Sequence, residues 1–212
     1  MKYLFYFIVF NIGIYNIGLL WFIIGIIKSK KINFNENNLD VSVIVCVKNG
    51  ELSLPYILND LHNQVYNSSI EFIIVDDNSR DKTKKIIEDF SNKDKRFKYT
   101  HSSFGSEKLK YKKRALDAGI KSSKYDILLF TDVDCRVSKN WASSMINNFN
   151  NNIDYVIGYS QVLQGKKFVS KFQQIDFMML MFAALGSTSM GSPVASTGQN
   201  QTYRKDLYKS VG

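Results

Sequence analysis

DILLFTDVD, residues 126–134, combines an apolar run with a pair of carboxylates. The run at 127–130 shows no alternation, which is typical of a strand covered on both faces, as in a parallel sheet. Asp132 and Asp134 follow one residue apart, and residues i and i+2 of an extended segment point the same way. The pair is therefore predicted at the carboxyl end of the strand, where open α/β sheets bind ligands. Two close carboxylates repel unless a cation joins them, and Mg²⁺ binds through one or two carboxylates plus substrate phosphates. A solvated acidic turn is the alternative.

Further apolar runs alternate with helical patterns along the chain. Strands are predicted at 41–47, 71–75, 97–100 and 155–159, and helices at 53–64, 83–90, the second half of 108–120, and 140–149. Strands and helices in alternation predict an α/β protein, with a mainly parallel sheet and helices on both faces. A dinucleotide-binding site of the Rossmann type is not supported, because no G-x-G-x-x-G motif follows the first strand.

The composition favours an anionic partner. The 212 residues include 28 Lys and Arg against 19 Asp and Glu, a formal charge of +9. A nucleotide or a lipid headgroup surface fits this excess, whereas nucleic acid does not, because no nucleic-acid module is recognisable. Cys46 and Cys135 lie on or beside predicted strands and are expected to be reduced thiols. His62 and His101 are too few for a multi-histidine metal site.

The N-terminal segment, residues 3–27, contains no charged residue and is long enough to span a bilayer, which takes about 20 residues. A signal peptide would have a shorter apolar core that leads to a small-residue cleavage site. Here three lysines follow the segment and one precedes it, so the positive-inside rule places the remainder in the cytoplasm. We predict a transmembrane helix at 3–27, a basic and polar linker at 28–40 and a single domain at 41–212.

A second apolar stretch, Phe172 to Leu185, is rich in Met and Phe. It is too short for a membrane span and contains Asp176, so we expect a buried or interfacial helix. Packing into a core is preferred here to a groove for a lipid acceptor, because Met and Phe usually fill cores.

Polar segments follow three of the predicted strands, at Asn49–Glu51, Asp76–Ser79 and Asp132–Asp134. The carboxyl ends of parallel strands share one edge of the sheet, so these segments can form one pocket. The basic cluster at 110–114 lies between the second and third segments and offers cations to phosphates. Together they predict a site for a nucleotide, its diphosphate and a metal ion.

These segments resemble a known family, the family 2 glycosyltransferases of the GT-A fold, and in particular its bacterial membrane-bound members. Five segments carry the resemblance, in the family's order and at its spacing. They are residues 41–49, 75–79 with Asp81 and Thr83, 112–116 with Gly119 and Ile120, 131–135, and 198–200 with Tyr203 and Arg204. Each motif is weak alone, but five in order are a strong match.

The resemblance implies how the nucleotide is held. Asp77 would bind the base, with Asn49 and Glu51 of the first loop beside it, and Lys112 would lie near the nucleotide or its phosphates. The plainer alternatives are a helix cap and turn for Asp76 and Asp77, and a solvated helix face for Lys112.

The resemblance also implies a metal side and an acceptor side. Asp132 would face the ribose or donor sugar, and Asp134, with Asp132 beside it, would ligate Mg²⁺ or Mn²⁺. Asn200, Tyr203 and Arg204 would bound the acceptor side, although a Gly-Gln-Asn turn explains Asn200 equally well.

A function follows from the resemblance. The expected enzyme transfers the sugar of a nucleotide-diphosphate sugar, with inversion, to a hydroxyl of a glycan or lipid-linked acceptor, on the cytoplasmic side of the inner membrane. Inverting members carry a carboxylate as general base downstream of the Tyr-Arg segment. That base is expected beyond Gly212, so 41–212 is read as a GT-A domain truncated at its C-terminus. A non-catalytic nucleotide-sugar-binding fragment and a GT-A-like nucleotidyltransferase, which would attack the α-phosphate, are the alternatives.

Overall fold

The computed structural model describes residues 1–29, 38–149, 153–163, 165 and 167–211. The chain divides into two compact units, one of residues 1–33 and 159–196 and one of residues 34–158 and 197–212. Most of the predicted linker at 28–40 lies outside the described residues. The domain limits 3–27 and 41–212 stay predictions.

The larger unit is built on one six-stranded sheet. Its strands are β1 (Val41–Val47), β2 (Ile70–Asp76), β3 (Phe97–His101), β4 (Ile127–Asp132), β5 (Tyr155–Ile157) and β6 (Asn200–Arg204). Their order across the sheet is β3-β2-β1-β4-β6-β5. The first four strands of this order run parallel, whereas β6 is antiparallel to both β4 and β5. The predicted α/β class with a mainly parallel sheet is confirmed.

Seven α-helices occur in the described residues. They are α1 (Lys2–Lys28), α2 (Leu54–His62), α3 (Thr83–Lys93), α4 (Lys112–Ser122), α5 (Trp141–Ile146), α6 (Phe168–Ser189) and α7 (Lys205–Val211). Val43 and Val45 of β1 belong to the core that α2, α3 and α5 cover, and Ile44 belongs to the core that α4 covers. Both faces of β1 are thus buried, which explains its apolar sequence without alternation.

One close approach brings α4 onto the sheet. A side chain at Gly119 would place its Cβ 2.5 Å from Cγ2 of Ile44. A residue without a side chain allows the helix to approach so near, and Lys112 begins this same helix.

The structure differs from the predicted elements near the C-terminus. The strand predicted at 155–159 ends at Ile157, and the helix predicted at 140–149 ends at Ile146. The strand β6 and the helix α7 were not predicted. Residues 200–204 read NQTYR and carry no apolar pattern, so β6 depends on backbone pairing with β4 and β5.

The smaller unit contains α1 and α6, and both are long and apolar enough to cross a membrane. The helix α6 has 22 residues, so the expectation that this segment is too short for a span was wrong. The prediction of core packing was also wrong, because Phe172 is 63% exposed and Met179 is 63% exposed. The helix buries Met181 and three small residues, Ala184, Gly186 and Ser187, and most of its other large apolar side chains stay on the surface.

Candidate functional site

A cleft of about 470 Å³ opens at the carboxyl ends of β1, β2 and β4. The strand register explains its place, because Val47 pairs with Asp76 on one side and Cys46 pairs with Asp132 on the other. The three strands therefore end together, and the residues after them share one space. The lining comprises Cys46, Lys48, Asn49, Gly50, Ser53, Asp77, Lys112, Ala115, Asp132, Val133 and Asp134.

The loop after β1 is fastened to the loop after β2. Asn49 has a φ of 51°, which asparagine tolerates better than most residues. Its backbone N–H donates to Ser79 Oγ at 2.9 Å, and its side-chain Oδ1 accepts from the Arg80 N–H at 2.9 Å. Asn49 therefore lines the cleft with its side-chain oxygen already engaged.

Glu51, which was expected beside the nucleotide, is directed elsewhere. Its carboxylate lies 3.4 Å from Lys82 Nζ and accepts from the Lys82 N–H at 3.3 Å. Glu51 does not belong to the cleft lining. It instead holds the two loops together, so its predicted contact with the nucleotide stays a prediction without a geometric basis.

Asp76 and Asp77, which are adjacent in sequence, have different environments. Asp76 is buried, and its Oδ1 accepts from the Ser79 N–H at 2.9 Å, which makes the turn. Asp77 lines the cleft, and its Oδ2 lies 3.9 Å from Nζ of Lys48. Asp76 therefore shapes the turn, whereas the Asp77 carboxylate lies on the surface of the cleft.

Lys112 and Asp132 form an ion pair across the cleft, with Nζ 2.5 Å from Oδ1. Lys112 begins α4, after Tyr111 with a φ of 54°, and Asp132 ends β4. Both side chains keep contact with solvent, so an incoming phosphate could compete for the ammonium group. Lys112 is thus an ion-pair partner of Asp132 and not only a solvated residue on a helix face.

Asp134 differs from Asp132 in its partners. Within the described ranges, no hydrogen bond or ion pair engages the Asp134 carboxylate. The same residues contain no group of three or more His, Cys, Asp or Glu that could hold a metal ion. Two carboxylates suit a Mg²⁺ or Mn²⁺ ion whose other ligands are water and substrate phosphates. The donor set fits a cation bound together with a diphosphate, and it does not fit an ion held by protein ligands alone.

The loop that carries Asp134 is held by an ion pair from α2. Arg136 donates from Nε to Asp60 Oδ2 at 2.6 Å and from Nη2 to Asp60 Oδ1 at 2.8 Å. The Val137 N–H also donates to Asp60, at 3.2 Å. The hydrogen bonds from Arg136 hold the pKa of Asp60 below its usual value, against the effect of burial.

Cys46 forms the floor of the cleft and is a free thiol, as is Cys135. Burial raises the pKa of Cys46 to about 12. Lys112 opposes this rise, and the carboxylates of Asp132 and Asp77 add to it. A thiol with such a pKa stays protonated at neutral pH and is a poor nucleophile. Cys46 therefore contributes shape to the cleft and no chemistry.

The three residues expected on the acceptor side make packing contacts. Asn200 is buried, and its Oδ1 accepts from the Trp141 indole N–H at 3.0 Å. The Tyr203 ring stacks on Phe130 with the centroids 4.8 Å apart, and Arg204 Nε donates to Asp154 at 2.9 Å.

Strand direction explains why Tyr203 and Arg204 lie away from the cleft. The strand β6 runs antiparallel to β4, so Asn200 pairs with Thr131 near the cleft edge while Arg204 pairs with Ile127 at the opposite edge. Tyr203 and Arg204 are not among the residues that line the cleft, and only the start of β6 is near it. The acceptor-side role of these residues stays a prediction.

Sequence reasoning missed two residues at the site. Lys48 lines the cleft directly after β1, and its position at a strand end was the signal that could have found it. Gln199 lies next to the loop after β4, where its Oε1 accepts from the Cys135 thiol at 3.9 Å. The sequence could not show that Gln199 lies near this loop, because the following strand, β6, was not predicted.

Poly-beta-1,6-N-acetyl-D-glucosamine synthase of Staphylococcus epidermidis is 27% identical over 145 residues, which cover 67% of this chain and 34% of that protein. The chain thus spans about a third of the length of that relative.

Two solved structures share the fold. The mannosyltransferase PcManGT from Pyrobaculum calidifontis, in complex with GDP-Man and Mn²⁺, matches with a TM-score of 0.74 at 15% identity, over 97% of this chain and 57% of that one. S. aureus TarS 1-349, in complex with UDP-GlcNAc, matches with a TM-score of 0.52 at 21% identity, over 82% of this chain and 47% of that one.

The family model described as Glycosyl transferase family 2 matches residues 42–212, which is most of the chain. This agrees with the sequence motifs and with the α/β architecture. The chain belongs to glycosyl transferase family 2.

Proposed function

We propose that this chain is the donor-binding part of a membrane-anchored glycosyltransferase that binds a nucleotide-diphosphate sugar with a divalent cation and transfers the sugar with inversion. One observation carries the proposal: Asp77, Lys112, Asp132 and Asp134 line a single cleft where three parallel strands end. These groups provide an acceptor for a base, a cation for phosphates and carboxylates for a metal ion. Membership of the family supports sugar transfer as the reaction.

Asp77 is assigned to the nucleotide base. Its carboxylate is not needed for the turn, which Asp76 makes, so it can accept hydrogen bonds from base N–H groups. Lys48, at 3.9 Å, restricts the directions in which this carboxylate can turn. The base would therefore bind on the β2 side of the cleft.

Lys112 and Asp132 are assigned to the diphosphate and to the ribose or donor sugar. Their ion pair keeps both groups in place before the donor binds. The diphosphate offers Lys112 a second anion, and Asp132 can then accept hydrogen bonds from sugar hydroxyls.

Asp134, with Asp132 beside it, is assigned to Mg²⁺ or Mn²⁺. A bound cation would stabilise the negative charge that develops on the leaving diphosphate. The contribution of the chain is to hold Asp134 toward the phosphates, and the Asp60–Arg136 ion pair keeps its loop in position.

The location and the acceptor complete the proposal. The helix α1 would anchor the protein in the inner membrane, with the cleft in the cytoplasm, because Lys28 and further lysines follow it. The acceptor would be a glycan or a lipid-linked sugar, whose hydroxyl attacks the anomeric carbon with help from a carboxylate base.

Product analysis tests the reaction class. Membranes that contain the full-length protein are incubated with Mn²⁺ and with UDP-GlcNAc or GDP-mannose, the donors present in the two structural neighbours. Release of nucleoside diphosphate, with the sugar in a larger product, supports the proposal. Release of pyrophosphate would instead identify a nucleotidyltransferase, and binding without turnover would identify a binding module.

A further inference from the structure

Lys112 and the cation assigned to the cleft require the same carboxylate. The ammonium nitrogen of Lys112 lies 2.5 Å from Oδ1 of Asp132, whereas no hydrogen bond or ion pair engages the Asp134 carboxylate within the described part of the chain. A divalent cation that joins the two aspartates therefore meets one carboxylate that already holds a positive charge. Because two cations on one carboxylate repel each other, the Lys112–Asp132 ion pair opposes binding of the metal ion.

This opposition matters because the cation has few other protein ligands. Among the residues that the structure describes, no group of three or more His, Cys, Asp or Glu could hold a metal ion. Asp132 and Asp134 leave most positions of an octahedral ion to water and to substrate phosphates. An ammonium group on Asp132 thus interferes with one of only two carboxylates in the donor set.

The backbone holds both partners of the ion pair in place. Lys112 is the first residue of α4, and α4 packs so closely on the sheet at Gly119 that an added Cβ would lie 2.5 Å from Ile44. Asp132 is the last residue of β4. The side chain of Lys112 is 56% exposed and that of Asp132 is 28% exposed. The pairing can therefore change by rotation of side chains, without movement of the helix or the strand.

A diphosphate is the group that can draw Lys112 away from Asp132. An ion pair whose side chains both contact solvent contributes little to stability, so it is readily exchanged. Phosphate groups offer the ammonium several charged oxygens in place of a single carboxylate. When Lys112 turns to the phosphates, both aspartates become available, and the phosphates add oxygen ligands for the cation.

We propose that Lys112 competes with the metal ion for Asp132 until a nucleotide diphosphate takes over the ammonium group. The chain then binds the cation weakly on its own and tightly together with the nucleotide. This inference rests on the proposed function and adds a competition within the same site. Because coupling between two ligands is reciprocal, a cation that displaces Lys112 from Asp132 also prepares the ammonium group for the phosphates.

Binding of Mn²⁺ in the absence of nucleotide tests the competition. Mn²⁺ is titrated into the full chain in detergent micelles, and the free ion is measured by electron paramagnetic resonance, for the wild type, Lys112→Met and Lys48→Met. Lys112→Met keeps an unbranched apolar side chain and removes the ammonium group. Lys48→Met is the matched control, because it removes the same charge from the same cleft at a lysine that lies beside Asp77.

Competition predicts opposite changes for the two ligands. We expect Lys112→Met to bind Mn²⁺ about tenfold more tightly than the wild type, which is within the range typical of coupled sites. Lys48→Met should change Mn²⁺ affinity much less. Calorimetric titration of UDP and GDP without metal should show weaker binding to Lys112→Met, because the diphosphate loses a cation. A substitution that only loosened the cleft would instead weaken the binding of both ligands.

Two results would overturn the inference. One is equal Mn²⁺ affinity of Lys112→Met and the wild type. The other is an equal gain in Lys48→Met, which would show that the total charge of the cleft, and not the contact with Asp132, controls the cation.

Addition of nucleotide separates this inference from the proposed function. If either of these results is found, but UDP or GDP still strengthens Mn²⁺ binding by the wild type, only the competition by Lys112 fails. If none of the three proteins binds Mn²⁺, with or without these nucleotides, the metal site of the proposed function fails as well.

Discussion

Neighbouring carboxylates in this protein differ because their partners differ. Asp76 accepts a backbone N–H and shapes a turn, whereas Asp77 faces the cleft. Asp132 is paired with Lys112, whereas the carboxylate of Asp134 has no hydrogen-bond or ion-pair partner among the residues that the structure covers. A DD or DVD sequence alone does not distinguish these environments, so the assignment of roles depends on the loop geometry.

Replacement of Asp77 by alanine tests its assignment to the base. We expect Asp77→Ala to weaken the binding of a free nucleoside diphosphate and of the nucleotide-sugar by the same amount, about 1.5–3 kcal/mol, which is typical of a hydrogen bond to a charged group. Calorimetric titration with UDP and GDP measures this.

The adjacent Asp76 provides the control. Asp76→Ala should lower the melting temperature, because it removes the side-chain oxygen that accepts the Ser79 N–H in this turn. Unchanged nucleotide affinity in a folded Asp77→Ala variant would show that Asp77 does not contact the base.

The Asp60–Arg136 ion pair leads to a prediction on pH dependence. The folded-state pKa of Asp60 is below its usual value because Arg136 donates hydrogen bonds to it. Such a carboxylate stabilises the fold above its unfolded pKa, near 4, and the stabilisation is lost as the pH falls through the lowered folded value. We expect Asp60→Asn to lower the free energy of unfolding by about 1 kcal/mol at neutral pH, and to approach the wild type as the pH falls below that folded value.

Urea unfolding at a series of pH values measures this difference. Asp89→Asn, at an exposed position on α3, is the matched control and should follow the wild type throughout. A gap between Asp60→Asn and wild type that does not change with pH would contradict the ion-pair explanation.

Most of the residues that line the cleft could be predicted from the sequence, because apolar runs show where the buried strands end. Asn49, Asp77, Asp132 and Asp134 line the cleft, as expected of residues after parallel strands, and Lys112 of the predicted basic cluster lines it too. The position of Glu51 could not be read, since it depends on how the first loop folds against Lys82. The roles of all these residues toward a ligand stay predictions.

At the scale of elements, the sheet contains a strand that the sequence does not reveal. The strands β1, β2 and β4 are buried on both faces and carry apolar runs. The strand β6 has the polar sequence NQTYR, and no local pattern states that it runs antiparallel to β4. Because β6 runs antiparallel to β4, its first residue lies near the cleft and Arg204 lies at the opposite edge of the sheet.

The start of β6 has a structural role that can be measured. Asn200→Ala would leave the buried indole N–H of Trp141 without this acceptor, and an unsatisfied buried donor costs about 1–3 kcal/mol. We expect a lower free energy of unfolding by that amount. Gln201→Ala, whose side chain contacts Tyr155 at an exposed site, should change stability less. If Asn200→Ala is as stable as the wild type, the hydrogen bond to Trp141 does not stabilise the fold, and the structural role of Asn200 is contradicted.

At the scale of the whole molecule, the apolar residues serve two purposes. In the larger unit they fill two cores on opposite faces of the sheet, and in the smaller unit they remain on the surface of α1 and α6. Composition alone cannot separate these uses, because the Met and Phe residues of α6 would also fill a core. For this reason the sequence predicted a buried or interfacial helix here and favoured core packing over a lipid-acceptor groove.

The orientation of the anchor is a prediction at this scale. A reporter enzyme fused to the carboxyl end should be active on the cytoplasmic side, because the lysines that follow α1 are retained there. The protein should also stay with the membrane fraction in buffer without detergent. Reporter activity only on the outer side would contradict the orientation, and release without detergent would contradict the anchor.

Calorimetric titration of nucleotide-sugar into the wild type and Asp134→Asn, each with Mn²⁺ and with a chelator, tests the central claim most directly. Asp134→Asn keeps the size of the side chain and removes its charge, so its binding should be the same with and without the cation. Asp132→Asn should keep a weakened response, because Asp132 is assigned mainly to sugar hydroxyls, and melting temperatures show whether the variants are folded. The account predicts that only the wild type gains its full affinity from Mn²⁺, and wild-type metal dependence in Asp134→Asn would contradict it.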